Sequence, residues 1–230
     1  MFFFLKLLLS LKFSQMVKEL SFRKKLAKSR IVQQFRHRVY TPLIISFDRL
    51  NDLKRRVRTQ ALIDPSDLGF SSSQGNHYEA TRYSTLNKIL KFAKNKGYSS
   101  LLDIGCGYGR PLIVAKELGF SKLYGVDISK QLIDECSLNL KKLKINAELS
   151  CCDIDNYLIP NQDLVILHFN ALKEDRLTSF IKKLKKRQSK CLFIDYNPNF
   201  KNPFTFEPIY TYDNWHFGMY HEGAKFYEIN

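Results

Sequence analysis

The stretch LLDIGCGYGR, residues 101–110, decides how this 230-residue chain folds. It continues an apolar run that begins at Ser100 and is typical of a buried strand over 100–105. Three glycines at alternate positions follow, and the segment PLIVAKELG, 111–119, has the periodicity and the early proline of a helix. A glycine-rich turn between a strand and a helix lets the backbone approach a ligand closely. The sequence therefore predicts a ligand-binding turn after this strand.

The spacing within the turn distinguishes two kinds of nucleotide site. Dinucleotide-binding turns follow the pattern GxGxxG, and here the third glycine would fall at Arg110. The turn instead has an acid, Asp103, two residues before the glycines at Gly105, Gly107 and Gly109. The pattern argues against a dinucleotide.

Strand and helix signals alternate from about residue 84 onward. A helix is predicted over 84–97, and helical patterns separate five apolar runs, so we expect a parallel sheet with right-handed crossovers. Two further runs, 206–212 and 225–230, lack a helix between them and favour an antiparallel pair, with NWHFGMYHEG (214–223) within their connection. The predicted fold is α/β, a doubly wound, mostly parallel seven-stranded sheet with an antiparallel last strand and a basic helical N-terminal extension. The five apolar runs are 100–105, 122–127, 147–153, 163–169 and 190–197.

Acids follow three successive predicted strands. Asp103 belongs to the glycine turn, Asp127 ends the second strand, and Asp153 follows the third, with Asp155 as an alternative two residues later. This ordered set resembles the class I S-adenosylmethionine-dependent methyltransferases over about residues 76–230. The resemblance implies that backbone N–H groups of the turn hold the cofactor carboxylate, Asp103 lies near its ammonium, Asp127 binds the ribose and Asp153 meets the adenine. The implied cofactor-binding residues are Asp103, Gly105, Gly107, Gly109, Asp127, Ile128, Asp153 and Asn170.

A second part of the resemblance lies upstream, in GNHYEATRYSTL, residues 75–86. Bacterial methyltransferases of this type often have a Y-x-P-T-x-Y segment at this place, and lysine methyltransferases without a SET domain have a similar Y-x-E-T-like loop. Tyr78, Thr81 and Tyr83 match this pattern, and Ala80 replaces its proline. The resemblance implies that Tyr78 and Thr81 face the reactive centre. From the residues alone, Thr81 or Ser84 could instead cap the following helix.

The segment LHFNAL after the fourth strand is expected to face the transferred methyl group. The N-P-P-Y motif of base and glutamine methylation is absent, and the resemblance selects Asn170, with Phe169 as a wall. His168 could serve as a general base for a hydroxyl acceptor or could be a neutral residue that orients the cofactor. Strand alternation predicts that His168 and Asn170 lie on one side and Phe169 on the other. Tyr196-Asn197-Pro198 is expected at the substrate mouth.

The positive charge of the chain is concentrated near its N-terminus. The net charge is +15, and residues 1–60 have 15 Lys and Arg against 3 acids. The apolar segment MFFFLKLLLSLKF, 1–13, is too short to span a bilayer and has no signal-peptide cleavage site. The extension can lie on an anionic membrane surface, pack as a solvated helical hairpin, or include residues upstream of a true start at Met16. Nucleic-acid binding is not favoured, because no recognised binding module is present.

These observations predict three regions: a basic extension (1–60), a loop segment (61–84) and a cofactor-binding domain (85–230). We expect a methyltransferase acting on an amine or hydroxyl, such as a protein lysine or a surface-glycan precursor. A non-catalytic cofactor-binding scaffold with a membrane-docking arm and an RNA methyltransferase are the alternatives. The five cysteines favour reduced thiols without a metal site. The expected location is cytoplasmic, with peripheral association at the inner membrane face if the extension binds lipid.

Overall fold

A computed structural model of the protein describes residues 30–71, 76–196, 198, 204, 206–216 and 220–229. The chain divides into two compact units, one formed by residues 1–46 and 213–222 and the other by 47–212 and 223–230. The larger unit contains every predicted site residue. It also contains residues 47–60, which the charge pattern assigned to the N-terminal extension.

The N-terminal extension is helical from Arg30 to Arg55. Helix α1 (Arg30–Phe35) leads through a π-helical turn (Arg36–Tyr40) into helix α2 (Thr41–Arg55). The apolar segment 1–13 lies outside the described residues. Of the helices that the structure describes, none combines the length and the apolar character needed to cross a membrane.

A seven-stranded sheet forms the centre of the larger unit. Its strand order is β5-β4-β3-β6-β7-β9-β8, and the five strands β3 to β7 run parallel while β9 pairs antiparallel with β7. Two short strands, β1 and β2, form a separate antiparallel pair. The predicted fold class is therefore confirmed. The strands are β1 (Leu62–Ile63), β2 (Tyr78–Glu79), β3 (Ser100–Ile104), β4 (Lys122–Asp127), β5 (Glu148–Cys151), β6 (Leu164–Phe169), β7 (Cys191–Tyr196), β8 (Tyr210–His216) and β9 (Tyr220–Ile229).

Helices cover both faces of this sheet. Alternate residues of β3 point to opposite sides, so Leu101 belongs to one apolar core and Leu102 to the other. Side chains of α3, α4 and α5 complete the first core, and those of α6 complete the second. The helices are α3 (Tyr83–Asn95), α4 (Arg110–Glu117), α5 (Lys130–Lys142) and α6 (Glu174–Leu184), with 3₁₀ turns at Pro65–Leu68 and Ile154–Asn156.

The prediction for the connection between the last two strands was wrong. Both strands extend well into 214–223, because β8 continues to His216 and β9 begins at Tyr220. Polar residues interrupt the apolar pattern there, but backbone pairing does not depend on side-chain polarity. Ser129 precedes α5, and its side chain does not cap the helix; its hydroxyl donates to the Leu68 carbonyl at 3.1 Å.

Candidate active site

One cleft collects most of the predicted site residues at the carboxyl ends of β3, β4 and β6. It contains about 960 Å³ of empty space, including the part that opens to solvent. In a parallel sheet this end of the strands is where ligands bind, because the loops there diverge to opposite faces. The predicted residues that line the cleft are Tyr78, Thr81, Asp103, Gly105, Asp127, Ile128, Asp153, Phe169 and Asn170.

The glycine turn is closed against its neighbours. Gly105 and Gly107 have φ values of +71° and +50°, in the left-handed region that favours glycine. A Cβ atom at Gly105 would lie 2.6 Å from the Cβ of Ala171, and one at Gly107 would overlap the ring of Tyr78. No side chain therefore fits at either position; Gly105 is exposed, whereas Gly107 is buried and its N–H donates to Asp127.

Asp103 has the most unusual environment of the cleft residues. Its exposed fraction is 3%, and its Oδ2 atom has no hydrogen-bond partner among the residues that the structure describes. Burial raises the pKa of this carboxyl well above its usual range, and the charge of Asp127 raises it further. A buried oxygen without a partner costs free energy, so its presence in a cleft indicates a place prepared for a donor.

Asp127 joins the glycine turn to the next helix. Its Oδ2 accepts the N–H of Gly107 and its Oδ1 accepts the N–H of Ser129, both at 3.0 Å. Burial raises its pKa, and these backbone hydrogen bonds oppose the rise. Ile128, the next residue, is half-buried and also lines the cleft.

The two candidates for the adenine contact are placed differently. Asp153 lines the cleft, accepts the N–H of Asp155 at 2.9 Å and forms an ion pair with Arg176. Asp155 lies outside the cleft lining, and its side chain is 59% exposed. The position of Asp153 agrees with the preferred assignment, and its role as the adenine contact stays a prediction.

The upstream loop contributes two of its three matching residues to the cleft. Tyr78 and Thr81 line it, and the Tyr78 hydroxyl donates to the Thr59 carbonyl at 2.7 Å. Burial raises the pKa of Tyr78, so this phenol keeps its proton. Tyr83 lies elsewhere and donates to Asp52 at 2.8 Å.

Neither Thr81 nor Ser84 caps the helix that follows this loop. Helix α3 begins after Arg82, where no side chain of the helix itself makes the cap. The Tyr83 N–H instead donates to the Asp48 carboxylate at 3.3 Å. The cap therefore comes from a residue 35 positions earlier.

The residues after β6 depart from the predicted alternation. His168 is 1% exposed and does not line the cleft, whereas Phe169 and Asn170 both do. The strand ends at Phe169, and Asn170 has a φ of +49°, so the period of two stops there. Placing His168 on the same side as Asn170 was therefore wrong.

Both ring nitrogens of His168 are used inside the protein. Nε2 accepts the Leu172 N–H at 3.1 Å, which leaves Nδ1 to donate to Asp195 at 2.9 Å. Such an imidazole is neutral and has no free nitrogen for a substrate. This geometry supports an orienting role and gives no support to a general base at His168. Tyr196 is buried in β7, and Asn197 lies outside the described part of the chain.

Arg110 is the residue whose role the sequence pattern did not reveal. It follows the glycine turn, is 1% exposed, and lies 3.5 Å from Asp48 and 3.6 Å from Asp52. Its guanidinium also donates to the Thr59 hydroxyl at 2.6 Å and to the Thr81 carbonyl at 2.7 Å. One buried cation thus connects the glycine turn, the upstream loop and α2.

No disulfide forms, and all five cysteines are free, with three of them buried. Among the residues that the structure describes, no three His, Cys, Asp or Glu side chains are grouped as a metal site requires.

The cleft residues fit S-adenosylmethionine. The Asp103 oxygen that has no partner among the described residues suits an ammonium group, and Gly105 lines the cleft with exposed backbone. Asp127 supplies oxygens at the end of the neighbouring strand, as a ribose diol requires.

Comparison with known proteins agrees with this geometry. Residues 101–190 match the family model described as a methyltransferase domain. An RNA methyltransferase from Salinibacter ruber, solved in complex with S-adenosyl-L-homocysteine, superposes with a TM-score of 0.52 at 16% identity, covering 65% of this chain and 93% of that one. The fold is therefore a Rossmann-like methyltransferase fold, as the resemblance implied. Residues 101–190 are similar to a methyltransferase domain.

Two curated relatives match parts of the chain. An uncharacterized protein of Methanocaldococcus jannaschii is 40% identical over 67 residues, 29% of this chain and 31% of that protein. The ribosomal protein L11 methyltransferase of Dictyoglomus thermophilum is 28% identical over 120 residues, 52% of this chain and 38% of that protein. The chain thus spans about a third of the length of each.

Proposed function

We propose that the whole protein is an S-adenosylmethionine-dependent methyltransferase whose acceptor is a protein amine, such as a lysine side chain. The observation that carries the cofactor assignment is Asp103, a buried carboxylate with an unpartnered oxygen beside the glycine turn. The match of residues 101–190 to a methyltransferase domain supports the same assignment.

Each cleft residue has a proposed task. Asp103 would hold the ammonium of the cofactor, Asp127 the ribose and Asp153 the adenine amino group. When bound, the cofactor supplies a methyl group on a sulfonium, which is already an excellent leaving group. The protein mainly orients the acceptor and excludes water, so Tyr78, Thr81 and Asn170 act by shape and hydrogen bonding.

The surroundings of His168 favour a nitrogen acceptor. A hydroxyl needs a base in the transition state, whereas an uncharged amine needs only alignment. Both nitrogens of His168 are already bonded, and Tyr78 keeps its proton. The relatives named as ribosomal protein L11 methyltransferases support a protein as the acceptor.

Calorimetry tests the cofactor assignment first. We expect the full chain to bind either S-adenosylmethionine or S-adenosylhomocysteine, each with a stoichiometry of one molecule per chain, in the same cleft. A protein that folds but binds neither compound contradicts the proposal.

Tritiated methyl labelling of a fractionated lysate tests the acceptor. We expect label in the protein fraction that is recovered as an N-methylated amino acid after acid hydrolysis, and less label with the Asp103→Asn variant at a limiting cofactor concentration. Label in protein that is lost in mild base as a methyl ester, or recovered as a methyl ether, indicates an oxygen acceptor, and label confined to glycan, lipid or RNA identifies another class; each result overturns the amine assignment. Cofactor binding without any labelled acceptor favours the non-catalytic scaffold.

A further inference from the structure

The part of helix α2 that lies in the larger unit, from Phe47 onward, buries acidic side chains and exposes apolar ones. Its inward side has Asp48 and Asp52, which are 7% and 5% exposed. Its outward side has Phe47, Leu50 and Leu53, with exposed fractions of 65%, 51% and 71%. An ordinary surface helix buries its apolar side chains and exposes its charges, so this arrangement requires an explanation.

Arg110 explains the inward side. A fully buried guanidinium is tolerated only when carboxylates and acceptors surround it, and Asp48 and Asp52 are the two carboxylates in reach. These two acids therefore fix the rotation of α2 about its axis. The three large apolar residues are then left facing outward, where nothing in the larger unit covers them.

The exposed charged side chains of residues 47–58 are all positive. Residues 47–58 include only two acids, and both are buried against Arg110. Arg49, Lys54, Arg56 and Arg58 are exposed, and the structure gives none of these four a carboxylate partner among the described residues. The outward surface of this segment thus combines apolar side chains with cations alone.

We infer that this basic apolar face, Phe47, Leu50 and Leu53 with the four neighbouring cations, binds an anionic lipid surface. Helices of this kind lie in the interface, with apolar side chains among the acyl chains and cations at the headgroup phosphates. A nucleic acid would use the cations but would leave three large apolar side chains in water. The inference concerns a surface outside the cleft and does not depend on the proposed reaction.

Vesicle co-sedimentation of the full chain tests this inference. We expect binding to vesicles that contain phosphatidylglycerol, weaker binding to pure phosphatidylcholine, and a loss of affinity as salt is added. The double variant Phe47→Glu with Leu50→Glu should bind about tenfold or more weakly, because each large apolar side chain loses its transfer out of water. Leu158→Glu is the matched control, since Leu158 is 87% exposed on another part of the chain, and it should bind like the wild type.

Several outcomes overturn the inference. Equal binding by the double variant and the control would place the lipid contact elsewhere, for example in residues 1–29. Wild-type dimers that the double variant converts to monomers in sedimentation velocity would show that a second copy covers the face. Affinity for S-adenosylhomocysteine, measured on the same samples, separates this failure from a failure of the cofactor site: variants that bind the compound normally are folded, whatever they do with lipid.

Discussion

The larger unit buries two pairs of aspartates, and among the described residues only one of these pairs has a basic side chain as a partner. Asp48 and Asp52 lie within 3.6 Å of the Arg110 guanidinium. Asp103 and Asp127 lie in the cleft without a basic partner among the described residues, and the charge of Asp127 raises the pKa of Asp103. The first pair is neutralised by the protein itself. In the second pair Asp127 accepts two backbone N–H groups, whereas the Oδ2 atom of Asp103 has no partner in the described part of the chain and can accept a hydrogen bond from a cationic ligand.

This difference distinguishes aspartates that stabilise the fold from an aspartate that can bind a ligand. A carboxylate that the fold has already neutralised contributes to stability and offers nothing to a ligand. A carboxylate left buried without a partner destabilises the protein alone, and the missing free energy is recovered only on binding. The four predictions below test this distinction, from the largest expected effect to the smallest.

Replacing the shared cation should have the largest effect. Arg110→Met leaves two buried carboxylates uncompensated, and we expect the free energy of unfolding to fall by about 3–5 kcal/mol. Urea unfolding measures it. Arg55→Met is the control, because Arg55 pairs with Glu117 near the surface and should cost about 1 kcal/mol or less. Equal losses for the two variants would show that burial of the pair is irrelevant.

The same change at the two kinds of aspartate should act in opposite ways. Asp103→Asn should weaken binding of S-adenosylhomocysteine by roughly 10- to 100-fold, the range expected for a lost charged hydrogen bond, without lowering the stability of the free protein. Asp52→Asn should destabilise the fold, because Asp52 accepts the N–H groups of Thr59 and Gln60 at 2.7 and 2.9 Å. Calorimetry and thermal unfolding measure the two effects. Destabilisation of the same size at both positions would contradict the distinction.

The raised pKa of Asp103 predicts a pH dependence with a definite sign. The folded protein holds this proton more tightly than the unfolded chain, so the contribution of Asp103 to stability is highest at low pH and falls as pH rises towards the raised pKa. An ammonium ligand favours the ionised carboxyl, so affinity for S-adenosylhomocysteine should increase over the same range by at most about tenfold per pH unit. Titration calorimetry across pH measures this, and Asp103→Asn should flatten the profile. If the affinity of the wild type does not change with pH, the carboxyl of Asp103 does not lose a proton when the ligand binds.

The smallest effect should distinguish Asp153 from Asp155. Both contact Arg176, so each substitution by Asn removes one contact to the same guanidinium. We expect Asp153→Asn to lower cofactor affinity by about 3- to 10-fold, as one hydrogen bond would, and Asp155→Asn to leave it almost unchanged. A larger loss for Asp155→Asn would reverse the assignment.

The parts that could be predicted from the sequence depend on short-range patterns. Parallel strands bring their carboxyl ends to one edge, so acids placed there along the chain were expected to meet, and Asp103, Asp127 and Asp153 all line the cleft. The alternation at His168 failed because a period of two describes only the strand, and the strand ends one residue before Asn170.

The inward polarity of α2 could not be predicted in this way. Arg110 meets Asp48 and Asp52 across about sixty residues, and local periodicity has no information on such a contact. Lys and Arg outnumber acids in residues 1–60 so strongly that the sequence predicts a solvated basic extension. Asp48 and Asp52 were counted in the net charge, whereas the structure uses both of them as the internal counter-charge of a buried arginine.

The Arg110 contacts also decide where the chain tolerates a cut. Cleavage near residue 60, where the charge of the sequence changes, separates the guanidinium from Asp48, Asp52 and Thr59, the groups that neutralise and hydrogen-bond it. A fragment that begins near residue 60 retains the buried Arg110 beside the glycine turn but lacks the carboxylates that neutralise it. Limited proteolysis should therefore leave residues 47–60 attached to the domain that contains the cleft and should not cut at the change in charge.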